Sequence, residues 1–130
     1  MTHQPTLVGL EELFNCPSTT VHQDLLQFPE IDAETRRYHG KQFGRAGELL
    51  VESVFLSLGL QSVGVAEHSP FDCVVFLEQG VLRVQVKTVT RPRGGCFNFN
   101  VSRGYHRSPA GVRRYSENDF DLLALVCLSE

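Results

Sequence analysis

From Ala33 to Leu58 the apolar positions recur at helical spacing. Ala46, Leu49, Leu50, Val54 and Leu58 fall three or four apart, which predicts one long helix with that face toward a core. Asp32 stands where an N-cap belongs, Glu34 follows in the first turn, and Gly59 supplies a stop. Gly40, Gly44 and Gly47 share one stripe of this helix. Each costs about 1 kcal/mol of helix propensity, so a close backbone approach or a break is expected there. Beyond Gly59 the period becomes two. Residues 62–66 read as a short strand, and 71–78 and 81–90 as two longer ones joined by a tight turn at Gln79-Gly80. Residues 91–95 break the pattern. Residues 96–102 then alternate, with Phe97, Phe99 and Val101 on one face and Asn98, Asn100 and Ser102 on the other. Residues 104–118 are polar, basic and rich in turn formers, and 121–128 form a continuous apolar run, as in a strand covered on both faces. Residues 1–31 are weakly patterned, with Leu7, Leu10, Leu13 and Phe14 on one helical face and Pro17 and Pro29 as punctuation. The organisation predicted is an N-terminal arm, 1–31, and a core domain, 32–130. Its class is α/β (α+β), a mixed β-sheet flanked by helices.

Composition adds mainly exclusions. With 130 residues, 42% of them hydrophobic and 21% charged, the chain is long enough for one core and ordinary for a globular protein. The longest apolar run, 122–128, is far below the roughly 20 residues needed to cross a bilayer. The first residues lack the basic and apolar blocks of a secretory signal, so a soluble, cytoplasmic protein is expected, near the nucleoid if it acts on DNA. Cys16, Cys73, Cys96 and Cys127 show no metal-ligand spacing and are expected to be reduced and structural.

Charge changes the picture more. The net charge is −3, yet residues 79–116 contain Arg83, Lys87, Arg91, Arg93, Arg103, Arg107, Arg113 and Arg114 and no acid. Residues 1–78 contain only four basic side chains against eleven acidic ones. A basic segment inside an acidic protein suits phosphate backbones, and arginine pairs bidentately with phosphate. A solvated loop paired to the acidic half is the competing explanation.

In a hairpin with Glu78 facing Val81, Phe76 faces Arg83, Val74 faces Gln85 and Asp72 faces Lys87. Alternation then gathers Asp72, Gln85 and Lys87 on one face at the open end, while Val84 and Val86 turn to the other. A carboxylate, an amide and an ammonium are poor core material. They form either an exposed cross-strand pair, worth a few tenths of a kcal/mol, or the lining of a cleft.

Ser-Pro-Phe-Asp (69–72), the hairpin and Val-Gln-Val-Lys-Thr (84–88), preceded by a helix bearing Gly47-Glu48, resemble the PD-(D/E)-x-K nuclease superfamily. The proline lies two residues before Asp72, and Gln85 stands where the middle acid is usual. Among small members the chain looks most like group I intron homing endonucleases and archaeal Holliday-junction resolvases, over residues 34–128. The resemblance implies a restriction-endonuclease-like core and a metal-dependent DNA endonuclease of homing, restriction or junction-resolving type. It implies Mg²⁺ or Mn²⁺ held by Asp72, by the Gln85 side-chain oxygen, by the Val86 carbonyl and by Glu48, with Glu52 as substitute for Glu48. Lys87 would stabilise charge developing on phosphorus or orient the attacking water. Loss of the middle acid lowers the negative charge on the metal, so weaker metal binding is expected. A catalytically weak or inactive nucleic-acid-binding module of the same fold is the alternative.

The DNA, duplex or branched, would meet Arg91, Arg93, Asn98, Asn100, Arg103, Arg107, Arg113 and Arg114, with Tyr105 and Tyr115 flanking the groove. His39, His68 and His106 are dispersed, and Asp119 and Asp121 suit the capping of the loop before the last strand. A double-strand break would need two sites, so a homodimer or dimer of dimers is expected, with the glycine stripe and the arm as contact surfaces.

Overall fold

A computed structural model describes residues 23–104 and 111–129. Leu7, Leu10, Leu13, Phe14, Cys16, Tyr105, His106 and Arg107 lie outside the described residues. A short 3-10 helix, Gln23–Gln27, leads into helix α1, Ala33–Tyr38, and helix α2, Gly40–Ser57. Four strands follow: β1, Gln61–Gly64; β2, Cys73–Leu77; β3, Gly80–Val89; and β4, Leu122–Cys127. They form one mixed sheet in the order β1-β2-β3-β4, antiparallel except for the parallel pair β3 and β4. None of the described helices is long and apolar enough to cross a membrane.

The predicted helix over 33–58 is two helices. Asp32 caps the first, its Oδ1 accepting the Thr35 N–H at 2.7 Å. The break falls at His39, a buried residue whose ring nitrogen lies 2.7 Å from Gln42 Oε1. The chain leaves α2 through Gly59, whose φ of +80° is the left-handed conformation glycine adopts freely.

The core face of α2 is also rotated from the predicted one. Gly47 and Val51 are buried and Phe55 packs beside them, whereas Leu49, Leu50, Val54 and Leu58 stay exposed. Gly47 is the cause. A Cβ there would stand 1.9 Å from Thr88 Oγ1, so only glycine lets α2 lie this close to β3. Gly47 therefore has a duty inside the protomer. Nothing lies within 4 Å of a Cβ at Gly40 or Gly44.

The core is small: Val51 against Cys73, Val75, Val84, Val86 and Val126. Burying each such side chain stabilises the fold by roughly 1.5–3 kcal/mol. β4 is not covered on both faces. Leu122 and Leu125 are exposed, and among the described residues β4 pairs with β3 alone, which makes it an edge strand. Residues 96–102, predicted as a strand, form none. They keep the alternation nonetheless, with Phe97 and Phe99 half-buried and Asn98 and Asn100 exposed, while Val101 is exposed. The long connection from β3 to β4 is held by two isolated bridges, Arg93 with Cys96 and Arg103 with Arg113.

Candidate active site

β2 pairs with β3 through Leu77–Gly80, Phe76–Val81 and Val74–Arg83. The turn is thus centred on Glu78-Gln79, not Gln79-Gly80, and the register moves two residues from the predicted one. A shift of two keeps every side chain on its face, so Gln85 and Lys87 still share one side of β3. It changes the neighbour of Asp72, which meets Gln85 instead of Lys87.

Asp72 sits just before β2, and its carboxylate finishes the ladder that the strand leaves open. Asp72 Oδ2 accepts the Val86 backbone N–H and the Gln85 Nε2–H, each at 2.7 Å. No hydrogen bond to Oδ1 is found among the described residues. Gln85 is buried, and its Nε2 also donates to the Val86 carbonyl at 3.1 Å. Burial pushes the Asp72 carboxyl above the ordinary aspartate value. The Val86 N–H opposes that, the Glu48 charge adds to it, and Lys87 and Arg45 pull the other way. Asp72 has no cation within ion-pair distance among the described residues.

Lys87 is held from the loop side: Nζ donates to the Ser102 carbonyl at 3.1 Å and stands 5.3 Å from the Tyr115 ring centre. It too lacks a carboxylate partner among the described residues. The pair expected between Asp72 and Lys87 is therefore no direct contact, although each feels the other's charge.

Glu48 reaches the site from α2. It accepts from Arg45 Nη1 at 2.7 Å, and the same nitrogen lies 3.8 Å from Glu52 Oε1. Glu52 Oε1 is buried with no hydrogen-bond partner among the described residues. Burial, with the Glu52, Asp72 and Glu48 charges adding to it, pushes the Cys73 thiol up to about 11, so Cys73 is an inert core thiol. Among the described residues no three His, Cys, Asp or Glu side chains form a ready metal cluster.

Two grooves meet at Glu48. One, of about 800 Å³, runs between α2 and the C-terminal half of β3, bordered by Lys87, Arg91, Arg93, Asn98 and Asn100. The other, of about 780 Å³, is bordered by Arg45, His68 and Asp72. Of the expected nucleic-acid contacts, Arg91, Arg93, Asn98 and Asn100 thus line the groove beside Lys87. Arg103 lies elsewhere, donating to the His68 carbonyl at 3.3 Å and bridging Arg113 through its backbone, and Arg114 borders neither groove. Arg83 belongs to another pairing, with Asp121.

Sequence reasoning missed Arg36 and Arg37, which border the first groove from α1. They precede the basic segment and sit in the acidic half of the chain; only the packing of α1 against α2 brings them across. It missed Arg45 as well, though its spacing of three from Glu48 was a usable signal.

No curated protein and no solved structure gives a significant match to the chain. A family model does. That of the PD-(D/E)XK endonucleases matches residues 38–130, from the last residue of α1 through β4, and so spans Glu48, Asp72, Gln85 and Lys87. With the mixed α/β sheet and this strand-end site, the match places the chain in the PD-(D/E)XK endonuclease family, with a restriction-endonuclease-like fold.

Proposed function

We propose that the protein is a divalent-metal-dependent DNA endonuclease, with Asp72, Gln85, Lys87 and Glu48 as its site. One observation carries this reading: a half-buried carboxylate and an ammonium, Asp72 and Lys87, share the end of a sheet without neutralising each other. The residues fit a hard cation. Asp72 keeps Oδ1 without a hydrogen bond among the described residues and is repelled by Glu48, an arrangement that a divalent charge relieves. The Asp72 and Glu48 carboxylates and the Val86 carbonyl would hold the ion. Gln85 spends Nε2 on Asp72, so Oε1 is the atom left for ligation. When bound, the metal supplies Lewis-acid polarisation of a phosphate oxygen and a more acidic water.

The chain's own residues do the rest. The Val86 N–H and the Gln85 amide fix the Asp72 carboxylate, which orients it without a cation's help. Lys87, steadied by Ser102 O and the Tyr115 ring, offers an unneutralised ammonium to charge developing on phosphorus. Arg91, Arg93, Asn98 and Asn100 give the strand a basic, hydrogen-bonding path beside Lys87. Homing, restriction and junction resolution all fit this site. A double-strand break would employ two copies, and sedimentation as a monomer with DNA bound would remove that part of the reading.

Gln85 favours a second reading. Its donor end on Asp72 suits a site that binds DNA with little catalysis. Incubation with supercoiled plasmid and with branched DNA in Mg²⁺ or Mn²⁺ separates the two. Cleavage by the wild type that disappears in Asp72→Ala and Lys87→Ala supports the nuclease. Binding without cleavage in either metal overturns it in favour of the second reading.

A further inference from the structure

The groove beside Lys87 ends in a pair of like charges. Arg36, on α1, directs Nη2 to two backbone carbonyls, Pro29 at 3.2 Å and Ile31 at 3.0 Å. Its Nε and Nη1 are shut off from solvent with no hydrogen-bond partner among the described residues. Arg91, just beyond β3, is exposed and borders the same groove. The two guanidinium charges repel: burial and then Arg91 lower the Arg36 pKa, more than the nearby Asp32 and Glu30 raise it. Asp32 is occupied in capping α1. No ion pair to Arg36, Arg37, Arg91 or Arg93 exists among the described residues, and Glu48, near Lys87, is the sole acid bordering the groove. A largely shielded positive charge beside an exposed one is a poor arrangement for an empty surface and a good one for an anion.

We propose that Arg36 and Arg91 form a phosphate subsite, which takes a backbone phosphate of the nucleic-acid strand whose neighbouring phosphodiester lies at Asp72 and Lys87. Arg91 makes the contact. Arg36 supplies field from behind and needs its charge, not its fork. The inference rests on the nuclease reading for the identity of the anion, and its test does not depend on cleavage.

The test is anisotropy of a fluorescein-labelled DNA in EDTA, titrated with the full-length protein over a range of salt. Arg91→Gln and Arg36→Met should each weaken binding about fivefold to tenfold and flatten the log K against log salt slope by up to about 0.9, the loss of one phosphate contact. The double variant should bind within about twofold of the weaker single one, since both act at one phosphate. Arg36→Lys keeps charge and loses the fork, and should stay within about twofold of the wild type. Arg36→Lys as weak as Arg36→Met would make Arg36 a strut for the Pro29–Ile31 turn and overturn the subsite. So would an unchanged slope in Arg91→Gln, a surface change that leaves the fold intact, or additive losses in the double variant. A wild type that binds in EDTA with these effects, yet never cleaves in Mg²⁺, would sink the nuclease reading and leave the subsite standing. A wild type that cleaves while Arg91→Gln binds unchanged would do the reverse.

Discussion

Asp121 and Asp72 each accept a backbone N–H of β3, from Arg83 at 2.8 Å and from Val86 at 2.7 Å, and their carboxyl groups respond in opposite senses. At Asp121 the Arg83 guanidinium adds two bonds, Nε to Oδ2 at 3.1 Å and Nη2 to Oδ1 at 2.9 Å, while Nη1 takes the Asn118 carbonyl at 2.6 Å. Arg83 holds that carboxyl down at about 2. Four residues along the same strand is another cation, Lys87, but it turns to the loop and leaves Asp72 with an amide. Asp72 is pushed up by burial and by Glu48. One end of β3 is a finished ion pair that ties the β3–β4 connection to the sheet. The other is an unfinished one. The difference teaches that the strand end built for structure is electrostatically saturated, and that the one left unsaturated is where an external cation and a phosphate have something to gain.

The sharpest way to break the comparison is to remove charges at the unfinished end and read cleavage. Asp72→Ala should lower the rate about 10³-fold or more, the scale of several kcal/mol of transition-state stabilisation. Lys87→Ala should lower it about 10²- to 10³-fold. Lys87→Ala should melt close to the wild type. Asp72→Ala also strips the Val86 N–H and the Gln85 amide of their acceptor and should melt lower, so cleavage is compared at a temperature where both variants are folded. If either variant cleaves at the wild-type rate, the unsaturated end is not the active end.

Next in size is Gln85→Glu, which supplies the third carboxylate beside Asp72 and Glu48. We expect Mn²⁺ or Mg²⁺ to bind about tenfold more tightly, because ligand charge sets affinity for hard cations. The metal-free protein should melt lower, with a further like charge placed in a buried position. Titration calorimetry and melts with and without metal check both signs. Equal metal affinity would mean that position 85 is not in the ligand set.

How much of this was legible follows from which interactions are local. The N-cap at Asp32, the hairpin and the shared face of Gln85 and Lys87 are set by spacing along one element, and the sequence pattern carries them. The two-residue register shift was not legible, since the turn chooses Glu78-Gln79 and only long-range pairing reports it. The rotated face of α2 was hidden by hydrophobicity itself: Leu49, Leu50 and Val54 look like core, but Gly47 against Thr88 decides the contact. The failed strand at 96–102 kept its alternation and lacked a partner edge, which no local pattern reveals. Alternation brought Asp72, Gln85 and Lys87 to one sheet face, where Asp72 meets Gln85. Arg36 was out of reach, because its place depends on how α1 meets α2 and not on the basic segment that drew the eye.

At the saturated end the expected effects are on stability. Asp121→Ala removes the acceptor of three Arg83 bonds, including a backbone N–H, and should lower Tm by about 3–6 °C at neutral pH. An isolated exposed pair would do less. The sign with pH follows from linkage. A carboxyl held down at about 2 stabilises the fold above the ordinary aspartate range, and that contribution is lost as pH falls toward about 2. The gap between wild-type and Asp121→Ala melts should therefore close on acidification. A gap that persists at low pH would show that the guanidinium pairing is not its source.

The smallest effect is the most discriminating, because it has the opposite sign. Asp72 has its folded value raised, so the unfolded chain gives up its proton first as pH rises. Metal-free stability should then fall from the ordinary aspartate range upward through the raised value, and the cost stays in place at neutral pH. Asp72→Asn removes the charge, keeps an oxygen for the Val86 N–H and offers its own N–H to Oε1 of a turned Gln85 amide. It should raise the metal-free Tm by about 2–4 °C at neutral pH and have little effect in acid, where the wild-type carboxyl is already protonated. Adding Mg²⁺ should raise the wild-type melt, as any ligand of the folded state does, and leave Asp72→Asn nearly unmoved. A lower Tm for Asp72→Asn in EDTA would mean that the Asp72 carboxylate is a structural acceptor like Asp121, and the contrast between the two ends of β3 would be gone.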